Sequence, residues 1–435
     1  MTSTGKTIAS ARALLAPLEP SEFIAHHLER ELLHVERRDP SLVDGIFDLD
    51  SMGHCLRYMQ PQRRNLIRVV AGDRSGERTT EMLARIAEAP GSGERLIRSL
   101  FADGHTVVFR YAEGYWPALE PIAMDLRRVL RSLVHCNVYC TPPDSQIFDT
   151  HVDTHDFLIL QTSGSKTWRL HEVPHELPID ASPLLSDLEP RLPSALPTFG
   201  PVSREIVLRP GDLLYLPRGV PHSVASTDQH SVHVTIGLYP LRMHQLLSRV
   251  LDLLAMQAVE LRRGTPIEWF DGEGSTPSAG DLLRQAAQLA DAAESPIDLD
   301  RILQVFEEQH APPIDPRGSI VAALRSKHLD LDTVLERPAG ATWKTRRGPG
   351  EFRVSCGKGM ALPLKLEPVL GFFERHERFR VGDLPEMLSD TAKLTLARSL
   401  VKNELLRVSD QPAPPISDNA TPTRLDPSAA FPPLP

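Results

Sequence analysis

The chain has 435 residues and a formal net charge of -9, with 24% charged and 41% hydrophobic residues, values of a soluble globular protein that exclude a fibrous or mostly disordered one. The length predicts two or three domains, and 57 acidic against 48 basic residues deny it the electrostatic footprint of a general nucleic-acid binder. No apolar run reaches the roughly 18 to 20 residues of a membrane span, and with no signal-peptide core and only Cys55, Cys136, Cys140 and Cys356, a cytoplasmic home is expected.

In chain order, Ser21 predicts the cap of a helix through Phe23, Ile24, His27, Leu28 and Glu31. Short β-branched runs follow at 66–70 and 106–109, then a helical pattern over 117–133 and a strand at 135–139. From there to 239 strand signals dominate, at 157–161, 167–170, 205–208, 212–216 and 231–238, punctuated by Pro142-Pro143, Gly164, Pro210-Gly211 and Arg218-Gly219. Many short strands with such turns predict a jelly-roll barrel.

After Pro240 the texture becomes helical: Met243, Leu246, Leu247, Val250, Leu253 and Leu254 recur at helical spacing, with further helices expected over 281–293 and 299–309. Residues 344–408 open with two β-like stretches and then show patterned segments at 369–375, 381–388 and 392–403 before a terminal strand, an order that suits a winged helix. Between Leu366 and Val408 stand seven acidic and seven basic residues, so reading DNA has no electrostatic support. Eight prolines in the last 25 residues predict a disordered tail over 409–435.

The chemistry centres on His151-Val152-Asp153 and the distant His222. On an extended strand, residues i and i+2 share a face about 6.6 Å apart, so an imidazole and a carboxylate can converge on one ion. A second histidine from a facing strand completes a two-His, one-carboxylate triad, which leaves coordination positions open and suits non-haem Fe(II) oxygenases. His222 ends Pro210-Gly211-Asp212-Leu213-Leu214-Tyr215-Leu216-Pro217-Arg218-Gly219-Val220-Pro221, a turn, a buried strand and a second turn that would aim it inward. His155 shares the parity of the pair but would sit about 13 Å along a strand from His151, which favours a substrate-facing or solvated place over ligation. Lys166 is one of only eight lysines and stands alone between Thr7 and Ser326; on its long stem it could meet the far carboxylate of a metal-bound 2-oxo acid.

These residues, with Asn137-Val138-Tyr139, Thr141-Pro142-Pro143, Leu160-Gln161, Gly164, Trp168-Arg169 and Ser231-Val232-His233-Val234-Thr235, resemble the JmjC-type, cupin-like ribosomal oxygenases, Fe(II)- and 2-oxoglutarate-dependent protein hydroxylases. The resemblance implies an α+β protein: an N-terminal flanking segment (1–94), a double-stranded β-helix (jelly-roll, cupin) barrel (95–240), a helical module that dimerises the chain (241–335) and a winged-helix-like domain (344–408). It implies His151, Asp153 and His222 as iron ligands, Lys166 as partner of the 2-oxoglutarate far carboxylate, and Asn137 and Tyr139 near cosubstrate and substrate; the alternative for that pair is an ordinary polar and aromatic pair in a barrel wall. Gly237 departs from the serine of some members, a contact that Thr235 could replace.

The implied reaction is decarboxylation of 2-oxoglutarate with dioxygen at Fe(II), coupled to hydroxylation of a protein side chain, with a ribosomal protein as the typical target and homodimerisation expected. Nucleic acid and membrane are not expected as partners. A natural-product peptide precursor is an alternative substrate, lysine demethylation a third. From other classes stand a non-catalytic metal-binding cupin scaffold and a zinc hydrolase, the latter without need of Lys166.

Overall fold

The computed structural model describes residues 7–58, 66–70, 93–145, 150–172, 176–179, 199–269, 276–293, 295, 297–310, 324–338, 344–347, 351–356, 358–403, 405–409 and 411–414. The proline-rich tail beyond 414 therefore lies outside the described residues. By internal contacts the chain divides into two units, residues 1–245 and 246–435.

The first unit is built on an eight-stranded antiparallel sheet rolled into a cupin-like jelly roll. Its strands are β1 (Leu33–Val35), β2 (Ile67–Val70), β3 (Thr106–Phe109), β4 (Ser132–Thr141), β5 (Asp156–His171), β6 (Val202–Leu208), β7 (Leu213–Leu216) and β8 (His222–Pro240). They run in the order β1-β7-β5-β8-β4-β3-β2, with β6 against β5. The separate runs expected at 157–161 and 167–170 are one strand, because Gly164 lets β5 bend without ending. Its φ is +60°, and a Cβ there would stand 1.7 Å from the His230 carbonyl oxygen, so glycine alone fits. The ladder to β8 shifts register on both sides, between Gln161 and Ser163 and between Gly164 and Lys166.

That double shift decides which side chains look inward. Before the bend, Phe157 and Ile159 face the interior; after it, Trp168 and Leu170 do, joined by Leu214, Leu216, Ile206 and Val224. The other face carries Val134, Cys136, Val138, Leu158, Leu160, Val234 and Ile236 and packs on the helices Ala11–Leu15 and Glu120–Leu130. The N-terminal helix spans Pro20–His26 rather than beginning after Ser21, because Glu19 and Glu22 close a capping box around Pro20.

The helices expected after 240 run over Met243–Gln257, Ala279–Asp291 and Leu299–His310. Beyond them, β9 (Val334–Glu336), β13 (Arg378–Arg380) and β14 (Arg407–Val408) form one small sheet, and β10 (Lys344–Arg347), β11 (Glu351–Cys356) and β12 (Lys358–Pro363) a meander. The helices Glu367–Arg375 and Asp390–Lys402 pack with them on a core that includes Leu335, Phe352, Phe372, Phe379 and Leu400. The segment at 381–388 makes only a 3-10 turn, Val381–Asp383. Among the described residues, no helix is long and apolar enough to cross a membrane.

Candidate active site

His151, Asp153 and His222 come together. Each offers a ligand atom, and these atoms all lie within 4.8 Å of one another; His222 Nε2 is 3.7 Å from Asp153 Oδ2. The convergence does not arise from a regular strand at 151–155 as the spacing alone suggested. Instead His151 and His222 form an isolated antiparallel bridge, His151 N–H donating to the His222 carbonyl at 3.0 Å and His222 N–H to that of His151 at 2.9 Å. Gly219 N–H donates to the Asp153 carbonyl at 3.1 Å, so backbone fixes both ligand-bearing segments. His155 lies outside the cluster; its ring stacks on Tyr239 at 4.7 Å.

His222 is buried, and its Nδ1 donates to the Val220 carbonyl at 3.0 Å, which leaves Nε2 with a lone pair toward the cluster. Burial, then the neighbouring His151, push its pKa down to about 4. The imidazole is therefore neutral at neutral pH, the form that binds a metal.

Lys166 is 1% exposed. Its Nζ donates to Thr141 Oγ1 at 3.1 Å, and among the described residues no carboxylate is paired with it. Burial lowers its pKa to about 7. Nearby, Tyr139 and His233 stack with ring centroids 5.0 Å apart, Trp168 lies edge to face on His233 at 5.9 Å and stacked on His222 at 5.6 Å. The rings thus connect the three-residue cluster to the lysine end of the interior. Burial and then Lys166 lower the pKa of His233, and burial, then Asp153, push the Tyr139 phenol up to about 12.

Three polar atoms in this interior, Gln161 Oε1, Trp168 Nε1 and His233 Nδ1, are buried with no hydrogen-bond partner among the described residues. An unpaired buried polar atom costs about 1–3 kcal/mol, and an unpaired buried cation costs more. Two imidazoles and a carboxylate on one side, a buried lysine amine and unsatisfied polar atoms on the other, fit a divalent metal with an anionic oxygen-rich molecule between them.

Asn137 and Tyr139 share a face, as their parity required. Asn137 Oδ1 accepts from Tyr111 N–H at 3.2 Å and is paired with Thr235 on β8, while Tyr139 is paired with His233. Gly237, two residues beyond Thr235, is close under the Tyr239 and His155 rings: a Cβ would meet them at 3.0 and 3.1 Å. Thr141, Gln161, Trp168 and His233 lay within the sequence resemblance without a role. The signal for Thr141 was the alternation Asn137, Tyr139, Thr141; nothing local signalled that Trp168 and His233 meet.

Fold and site together define a cupin-type barrel with a two-His, one-carboxylate cluster. Residues 118–246 match the family described as JmjC domain. The chain is 32% identical over 287 residues to ribosomal oxygenase 1 of Rattus norvegicus, covering 63% of this chain and 45% of the relative. It is also 32% identical over 247 residues to the bifunctional lysine-specific demethylase and histidyl-hydroxylase NO66 of Drosophila persimilis, covering 51% of this chain and 35% of the relative. The chain thus spans between a third and a half of the length of these curated relatives. Among solved structures, the ribosomal oxygenase YcfD of Escherichia coli aligns over 90% of this chain and 98% of its own, with TM-score 0.46 and 16% identity.

Proposed function

We propose that the protein is an Fe(II)- and 2-oxoglutarate-dependent oxygenase that hydroxylates a side chain of a protein. The observation that carries this reading is the buried Lys166, with no carboxylate paired to it among the described residues, in the same barrel as the three-residue cluster. A zinc hydrolase has no use for a buried cation beyond its metal, whereas a dicarboxylic cosubstrate chelated at one end needs a counter-charge at the other. Bound iron and cosubstrate would supply the oxidising chemistry that puts an oxygen into a C–H bond, with succinate and carbon dioxide as by-products.

The chain's own residues do the placing. His151, Asp153 and His222 would hold the metal on one side and leave its other positions open. Lys166, oriented by Thr141, would take the far carboxylate, and Trp168, His233 and Gln161 would offer their polar atoms to the same molecule. Apolar Phe157, Ile159, Leu214 and Leu216 keep water from this interior. Asn137 and Tyr139 on β4 and Thr235 on β8, paired across the ladder with Asn137, would line the wall beside the cosubstrate.

The name ribosomal oxygenase 1 supports a ribosomal protein as target and the name histidyl-hydroxylase supports hydroxylation, while the demethylase part of the second relative's name keeps lysine demethylation as the alternative. Residues 241–335 would form a homodimer: Met243, Leu247 and Leu251, spaced four apart on one helix, are 65%, 55% and 40% exposed, an apolar stripe a second copy would cover. Residues 344–408, with the helices Glu367–Arg375 and Asp390–Lys402, would constitute a winged-helix-like substrate-docking domain. Conversion of 2-oxoglutarate to succinate with Fe(II) and ascorbate tests the reaction, and a gain of one oxygen on a ribosomal protein tests the target. Metal binding without any turnover, even with ribosomal proteins added, would leave the scaffold reading.

A further inference from the structure

One buried ion pair joins the two chain segments that bear the metal-ligand candidates. Asp156, three residues after Asp153, is fully buried, and Arg218, four residues before His222, is 7% exposed. Asp156 holds Arg218 twice: its Oδ2 accepts from Nη1 at 2.6 Å and its Oδ1 from the backbone N–H at 3.2 Å. The Tyr215 hydroxyl donates to the same Oδ1 at 3.1 Å. Glu29 from the N-terminal segment completes the network: its Oε1 accepts from Arg218 Nη1 at 2.6 Å, and its N–H donates to the Tyr215 hydroxyl at 2.8 Å.

The short turn from Pro217 to Pro221 is thereby fastened on both sides. Arg218 is pinned to Asp156, Gly219 donates to the Asp153 carbonyl, and His222 bridges to His151. Of the ligand candidates, His151 and His222 form the bridge and Asp153 stands between it and Asp156 along the chain. Charge-assisted bonds from one guanidinium nitrogen, Arg218 Nη1, to Asp156 and Glu29 fix relative position more narrowly than apolar packing does, and Asp156 and Arg218 are both buried.

We propose that Asp156 and Arg218, supported by Glu29, are positioning residues for the metal centre, acting through the backbone of the segments that carry Asp153 and His222. The proposal rests on reading His151, Asp153 and His222 as a metal site. It gives the N-terminal segment a part in metal binding although it supplies no ligand.

The test is titration of the full-length protein with Co(II), followed by calorimetry and by the visible ligand-field band, which needs neither cosubstrate nor substrate. Asp156→Asn should keep its near-ultraviolet circular dichroism yet bind Co(II) about 10- to 100-fold more weakly with an altered band, as loss of supporting groups does at other metal sites. Glu29→Gln should weaken binding in the same direction by less, and Arg169→Ala, which breaks only the exposed pair with Glu205, should leave it unchanged. A folded D156N protein with wild-type affinity and an unaltered band overturns the proposal, since a purely structural role would lower the melting temperature alone. If D156N does not fold, E29Q decides, and wild-type affinity there overturns it. Failure of the wild-type protein to bind Co(II) would instead remove the metal-site reading itself.

Discussion

Lys166 and Thr141 meet in the barrel interior through a 3.1 Å hydrogen bond from Nζ to Oγ1, and that hydroxyl also accepts from the Thr106 hydroxyl at 3.0 Å. With its oxygen occupied by two donors, Thr141 orients the ammonium but cannot neutralise it.

Replacing Lys166 by Met should therefore separate stability from binding. The apo protein should melt a few degrees higher, because an unpaired buried cation is exchanged for an apolar chain of similar length. Affinity of the metal-loaded protein for N-oxalylglycine, a 2-oxoglutarate analogue, should fall at least about tenfold, the loss expected for a charge-assisted contact. Scanning calorimetry and titration calorimetry read the two effects.

The same lysine sets a pH dependence. Burial lowers its folded-state pKa to about 7 from 10.5, so between these values the unfolded chain binds the extra proton and this group makes stability rise with pH. Binding of a dicarboxylate has the opposite sign, since it requires the protonated amine. Affinity should be full below pH 7 and decline above it, approaching tenfold per unit, with proton uptake visible as a buffer-dependent heat. K166M should flatten this slope.

Removing a ligand should be more severe than loosening its support. His222→Ala should weaken Co(II) binding by more than about 100-fold, beyond the range for supporting groups, and abolish succinate formation while the protein remains folded. Calorimetric titration of the variant is the measurement; binding within tenfold of wild type would remove His222 from the site.

At the bend of β5, Gly164→Ala should destabilise by more than about 2 kcal/mol, because the new Cβ meets backbone as well as a left-handed φ. Urea unfolding gives the value. A loss within 0.5 kcal/mol would show that the bend can relax around a side chain.

Glutamate at both Leu247 and Met256, which are 55% and 76% exposed, should halve the mass measured by light scattering if the helical module pairs two copies. Monomeric wild-type protein would end the dimer reading.

Composition, periodicity and motif order determined much of this protein in advance. The alternation of β4 put Asn137 and Tyr139 on one face because side-chain direction along a strand repeats every two residues, a strictly local rule. The helices after 240 were legible for the same reason at a period of 3.6, and the block ending in His222 carried its own turns. Tertiary structure decided the rest. By parity, Lys166 and the odd-numbered Phe157 and Ile159 belong on opposite faces of β5; the double register shift around Gly164 brings Lys166 inward, and it depends on a β8 segment some 65 residues away. The ligand pair likewise converges through the bridge to His222, and the Asp156, Arg218 and Glu29 network joins three stretches that no window spans. Such contacts arise from chain closure and burial, and neither leaves a local pattern to read.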